Sequence, residues 1–142
     1  MKRVLFILMI MGTFINCNPF GPIGPNRIRI TVSGGVQPVI SWNGGAVTYV
    51  SVELPDSLVG ETLPDGSIGR RPAVVWGYRA YDSTGKNVNG IVSPVRVGTD
   101  IANATDISDS SCRTGSLVPG VRYKISMATV GPGACGFIRY TP

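Results

Sequence analysis

The 142-residue chain contains no histidine. That removes Ser-His and Cys-His activation of a nucleophile, and with it the commonest zinc ligand. Carboxylates are the remaining acid/base groups. Glu53, Asp56, Glu61 and Asp65 crowd one stretch, where a pair could serve glycoside hydrolysis, but the prolines and glycines between them read as a turn-rich loop without a rigid frame. Asp100, Asn103, Asp106 and Asp109 place oxygen ligands every third residue or so without the spacing of a calcium loop. Asp and Asn equally favour turns through their own local hydrogen bonds, and that reading is preferred. Gly34-Gly35 and Gly44-Gly45 lie between strand-like runs with no helix following, so they are turns and not phosphate cradles. No catalytic residue, metal site or cofactor is expected, and the chain reads as non-enzymatic.

Aromatic residues are the other candidates for recognition. In Trp76-Gly77-Tyr78-Arg79-Ala80-Tyr81, strand alternation puts Trp76 and Tyr78 on one face and Arg79 and Tyr81 on the other. One face must be core and the other open, which makes Trp76, Arg79 and Tyr81 the candidate ligand-binding surface, for a polysaccharide or a protein partner.

Positioning these groups falls to strands. Nineteen glycines and eleven prolines disfavour long helices. Short alternating runs recur between Gly, Pro, Asn and Asp clusters, the pattern of an all-β sandwich or barrel. Arg27 to Val32 alternates strictly, with Ile28, Ile30 and Val32 inward. Strands are expected at Pro38 to Trp42, at Ala46 to Leu54 with Val50, Val52 and Leu54 inward, and at Val121 to Ala128 and Gly136 to Tyr140. Ala73 to Tyr81 and Val88 to Val97 are expected to pair as a hairpin, and Pro55 to Pro72 to form a long surface loop.

Before the strands lies a different kind of segment. Lys2 and Arg3 precede the apolar run Val4 to Met11, which continues to Ile15. The run is too short for a span of roughly 20 residues and suits the core of an export signal. Phe14-Ile15-Asn16-Cys17 resembles the bacterial lipobox, in which the cysteine receives diacylglycerol. The resemblance implies that residues 1 to 16 are a signal peptide and that Cys17 is lipidated. Asn16 and Phe14 depart from the usual residues of that motif. Asn18, in place of the retaining Asp, implies the outer membrane where there is one. Residues 17 to 26 alternate Pro and Gly and read as a tether reaching roughly 30 Å. The partner so implied is a membrane, through the lipid, and the location is the cell envelope.

If Cys17 carries lipid, Cys112 and Cys135 remain as an even pair that an exported compartment would join. Such a bridge would contribute ~3 kcal/mol. Removing 16 of the 142 residues leaves 126, enough for one domain over residues 27 to 142, and lowers the formal charge from +5 to +3. The remaining cations are scattered, and neither they nor export suit a nucleic-acid partner.

Leu117-Val118-Pro119-Gly120-Val121-Arg122-Tyr123 resembles the stretch that opens the penultimate strand of fibronectin type III domains, whose tyrosine hydrogen-bonds back to the preceding backbone. Ile40-Ser41-Trp42 and Tyr49 are similar to that family's second and third strands. The resemblance implies an immunoglobulin-like, fibronectin type III-like β-sandwich. It also implies a fifth strand over Ser111 to Leu117, which would bring Cys112 to the same end of the sandwich as Cys135.

Overall fold

The computed structural model describes residues 28 to 80, 90 to 129 and 135 to 142. The expected signal peptide, Cys17, the tether and Tyr81 lie outside them. The described residues form eight strands in two antiparallel sheets, with no helix among them. One sheet joins β1 (Ile30–Val32), β2 (Val39–Trp42) and β5 (Val95–Arg96) in the order β1-β2-β5. The other contains β3 (Tyr49–Thr62), β4 (Ile68–Arg79), β6 (Thr105–Asp106), β7 (Tyr123–Ala128) and β8 (Cys135–Tyr140), in the order β6-β4-β3-β7-β8.

Alternation decides which side chains enter the common core. Ile28, Ile40, Trp42 and Val95 meet Val50, Val52, Trp76, Tyr78, Tyr123, Ile125 and Met127 in one buried cluster. The larger aromatics hide their rings and satisfy their polar ends: Trp42 Nε1 donates to the Gly45 carbonyl at 2.8 Å and Trp76 Nε1 to that of Thr99 at 3.3 Å. The Trp76 and Tyr78 rings meet edge to face at 5.3 Å. The corner bond implied by the tyrosine motif is formed, with the Val118 amide donating to Tyr123 Oη at 3.0 Å.

Residues 55 to 72 are not a loop. They continue β3 and open β4 as a two-stranded ribbon, paired from Leu58 opposite Pro72 to Thr62 opposite Ile68. The prolines that suggested a loop sit where strands accept them. Pro55 falls in a bulge between Leu54 and Leu58, where a missing amide costs no ladder bond, and Pro64 lies in the connecting turn. That turn closes when the Leu63 amide donates to the Ser67 carbonyl and the Gly66 amide to that of Leu63, both at 2.9 Å, with Gly66 at φ 81°. The hydroxyl of Ser67, and then its amide, hold the Asp65 carboxyl below the usual carboxylate range.

The expected hairpin of 73–81 with 88–97 is also corrected, because β4 pairs with β3 and β6 whereas β5 pairs with β2 in the opposite sheet. Short range suggested the pairing, but Val95 is apolar on the side that closes over Ile40. Val95–Arg96 therefore takes the third place in the small sheet. Ser111 to Leu117, expected as a strand, runs as turns whose Cys112 and Arg113 amides donate to the Asp109 carbonyl at 2.9 and 2.8 Å.

The Cys112–Cys135 bridge falls with that strand. Cys112 is a free thiol whose Sγ lies 3.6 Å from the Val74 carbonyl oxygen, beside β4. Cys135 opens β8, three places across the sheet from β4, and its register line through Ala128 and Tyr49 meets β4 at Arg79 and not at Val74. Strands lie about 4.8 Å apart, so the separation across the sheet alone is roughly 14 Å, twice the ~7 Å Cα limit for a disulfide.

Close backbone approach is required at Gly98, which follows β5 with φ 88°, where a Cβ would run into the Gly115 carbonyl. Gly98→Ala is expected to destabilise the domain by about 2 kcal/mol or more through backbone strain and overpacking. Thermal unfolding would read this as a lowered Tm.

Candidate functional site

The candidate site is the face of the five-stranded sheet turned away from the core. On β3, Val50 and Val52 point inward, so Tyr49, Ser51 and Glu53 share the outer face. Register then fixes their neighbours: Arg79 opposite Tyr49 on one side, and on the other Ser126 opposite Ser51 and Lys124 opposite Glu53. On β8, Phe137 lies opposite Ser126 and Arg139 opposite Lys124.

Glu53 is the centre of this face. Only 9% exposed, its Oε1 accepts from Ser51 Oγ at 2.6 Å and from Tyr49 Oη at 3.3 Å, and Lys124 Nζ stands 3.8 Å from Oε2. Charge-assisted hydrogen bonds offset the desolvation that burial imposes on a carboxylate. Lys124 also reaches over the Phe137 ring, 5.4 Å from its centroid. Beneath them the Ser126 hydroxyl oxygen is buried with no hydrogen-bond partner among the described residues. On the β7 and β8 side Glu53 faces Lys124, with Ser126, Phe137 and Arg139 next to it, and none of these is acidic, so among the described residues no second carboxylate joins it there to form the pair that glycosidase chemistry needs.

Glu53 falls at the end of the run Ala46 to Leu54 expected as a strand and lies on the central strand β3, so the turn-rich frame expected for the four carboxylates does not hold for it. The alternation of Val50, Val52 and Leu54 turns it outward, but no sequence signal shows that Tyr49, Ser51 and Lys124 gather on its carboxylate. Asp56 and Asp65 are exposed along the ribbon, and Glu61 approaches Arg71 Nε only at 4.0 Å. Trp76 is corrected as a surface candidate. It is buried on the opposite side of β4 from Arg79, because Trp76 opposes the inward Val52 whereas Arg79 opposes the outward Tyr49.

Three of the four oxygen-bearing residues of 100 to 109 act as braces. Asp109 accepts both Arg71 guanidinium nitrogens, at 2.9 and 2.7 Å, and the Val74 amide at 2.7 Å. The Arg71 hydrogen bonds, more than the Val74 amide, hold its carboxyl below the usual range, and the same contact raises Arg71. Asp100 accepts from Tyr78 Oη at 2.7 Å, and burial followed by that hydrogen bond pushes the Tyr78 phenol up to about 12. Arg113 bridges Asp100 at 3.3 Å and Asp106 at 2.9 Å. Asn103 sits at φ 59°, a turn conformation. Among the described residues no group of three or more His, Cys, Asp or Glu is placed to hold a metal ion.

Burial, then the charge of Asp109, raise the Cys112 thiol, which makes it a poor nucleophile. Comparison with protein-family models, with curated proteins and with solved structures gives no match to this chain.

Proposed function

We propose that the chain is a non-enzymatic lipoprotein of the cell envelope that presents an immunoglobulin-like, fibronectin type III-like β-sandwich as an interaction or structural module. The observation that carries this reading is the division of labour among its polar groups. Asp100, Asp106 and Asp109 brace β4 and the segment after it, while the outer face of the larger sheet displays cations and an aromatic ring. The sandwich type is supported by strand order: β1-β2-β5 corresponds to strands A, B and E of that plan, and β4-β3-β7-β8 to C′, C, F and G. The Tyr123 corner bond supports the same type.

Membrane attachment rests on the signal-like start and on Cys17. Cys17→Ala is expected to move the protein from the membrane fraction to the soluble fraction; unchanged partitioning would overturn the anchor.

The free Cys112 thiol favours a second reading. With that cysteine unbridged, parity no longer reserves Cys17 for lipid, and the even pair becomes Cys17 with Cys135. Ile28, eleven residues after Cys17, donates its amide to the Cys135 carbonyl at 3.5 Å, so the described chain begins beside Cys135. A bridged Cys17 could not carry lipid, and the protein would then be released from the membrane. Thiol titration of the denatured, unreduced native protein separates the two: one reactive thiol per chain supports the bridge, and more than one excludes it.

A further inference from the structure

We propose that the outer face of β7 and β8 binds an anionic polysaccharide, with Arg122, Lys124 and Arg139 meeting its carboxylate or phosphate groups and Phe137 its sugar rings. The inference rests on the interaction-module reading above and names the partner for its outer sheet face. Val121, Tyr123, Ile125 and Met127 pack toward the core, so alternation turns Arg122, Lys124 and Ser126 outward. Lys124 is directly opposed by Arg139 across the strand pair. Like charges in that relation, with Cβ atoms about 5 Å apart, destabilise a sheet. Glu53 offsets Lys124 alone. Arg122 and Arg139 are exposed, and neither enters an ion pair or hydrogen bond among the described residues.

Among the described residues, β7, β8 and the approach to β7 thus turn three cations outward, with the Glu53 carboxylate of β3 beside only one of them, and an anion relieves the surplus. Phe137, 42% exposed beside them, offers apolar surface at the same place. A sugar chain bearing uronate or phosphate groups uses both features, its acids on the guanidiniums and its C–H faces on the ring. An anionic bilayer suits the face less well, since stable interfacial binding needs a broad apolar stripe beside the cations and Phe137 is a single ring. The exposed cations Arg29 and Arg96 belong to the other sheet or its approach and supply an internal control.

The test titrates the full chain calorimetrically with polygalacturonate, with neutral dextran and with phosphatidylglycerol vesicles. Polygalacturonate is expected to bind and dextran not to bind. The double variant Arg122→Gln/Arg139→Gln should weaken polygalacturonate about tenfold or more, as loss of charged hydrogen bonds implies. Phe137→Ala should weaken it severalfold, and Arg29→Gln/Arg96→Gln, which removes equal charge, should leave it within about twofold. Each substituted side chain is exposed, and an unchanged Tm confirms folding. Failure of the wild-type chain to bind polygalacturonate would overturn the proposal. So would equal weakening by the control pair, or vesicle binding that the Arg122/Arg139 variant abolishes while polygalacturonate binding persists. Fractionation of Cys17→Ala is independent of all these arms, so the anchor and the binding face can fail separately.

Discussion

Trp76→Ala is expected to lower stability by about 3–5 kcal/mol, the largest effect of any single change in the domain. Trp76 is 2% exposed, opposes Val52 on the central strand and meets Tyr78 edge to face at 5.3 Å. Truncation leaves a cavity between the sheets that β-strands held by ladder bonds on both sides cannot collapse to fill. It also strands the Thr99 carbonyl that accepts from the indole at 3.3 Å. Domains of this size have about 5–15 kcal/mol of stability, so a large part of it is removed. Urea unfolding followed by far-ultraviolet circular dichroism should show a strongly lowered midpoint or an unfolded chain. A loss under about 1 kcal/mol would mean that the two sheets are not packed around this ring.

Asp109→Ala is expected to cost about 2–3 kcal/mol, somewhat less than a fully buried pair because the Arg71 side chain is 33% exposed. Three hydrogen bonds are lost at once, from the two terminal Arg71 nitrogens and the Val74 amide, and of these donors Arg71 Nη1 keeps the Pro72 carbonyl at 3.1 Å. The amide matters most, since it belongs to β4 at the bulge opposite Glu53, where the β3–β4 ladder is already interrupted. Asp109→Asn keeps an acceptor for that amide and should recover part of the loss. The carboxyl's folded value is depressed by Arg71, so its contribution is fully present above the unfolded carboxylate value near ~4 and is lost as pH falls through the lower folded one. Urea midpoints of the wild type and Asp109→Ala should therefore differ at pH 6 and converge on acidification below about pH 4. A gap that stays constant with pH would show that the carboxylate's charge contributes nothing.

These two residues illustrate how far reading from sequence reached. Trp76 lay on a strand whose alternation was plain, yet alternation alone did not say which of its two faces was the core. That answer came from pairing with Val50 and Val52. Asp109 was legible only as a turn former or an oxygen ligand; its partner Arg71 is 38 residues away. Glu53 is legible as an outward residue of the strand ending at Leu54, but Pro55 and Pro64 make the residues after it read as a loop, whereas a bulge and a five-residue turn absorb both prolines within one hairpin.

By itself the sequence determined the features that depend on local pattern. An all-β chain follows from glycine, proline and period-two alternation, and the inward faces of β1, β3 and β7 follow from the same period, because side-chain direction in a strand is fixed by its neighbours along the chain. Tertiary structure alone decided which strands pair. It sent Val95–Arg96 to the small sheet, carried Cys112 far from Cys135, and lined up Arg122, Lys124, Phe137 and Arg139 on one open face. Those outcomes depend on contacts between residues distant in the chain, where burying the most apolar surface and closing the most ladder bonds outweighs any short-range preference.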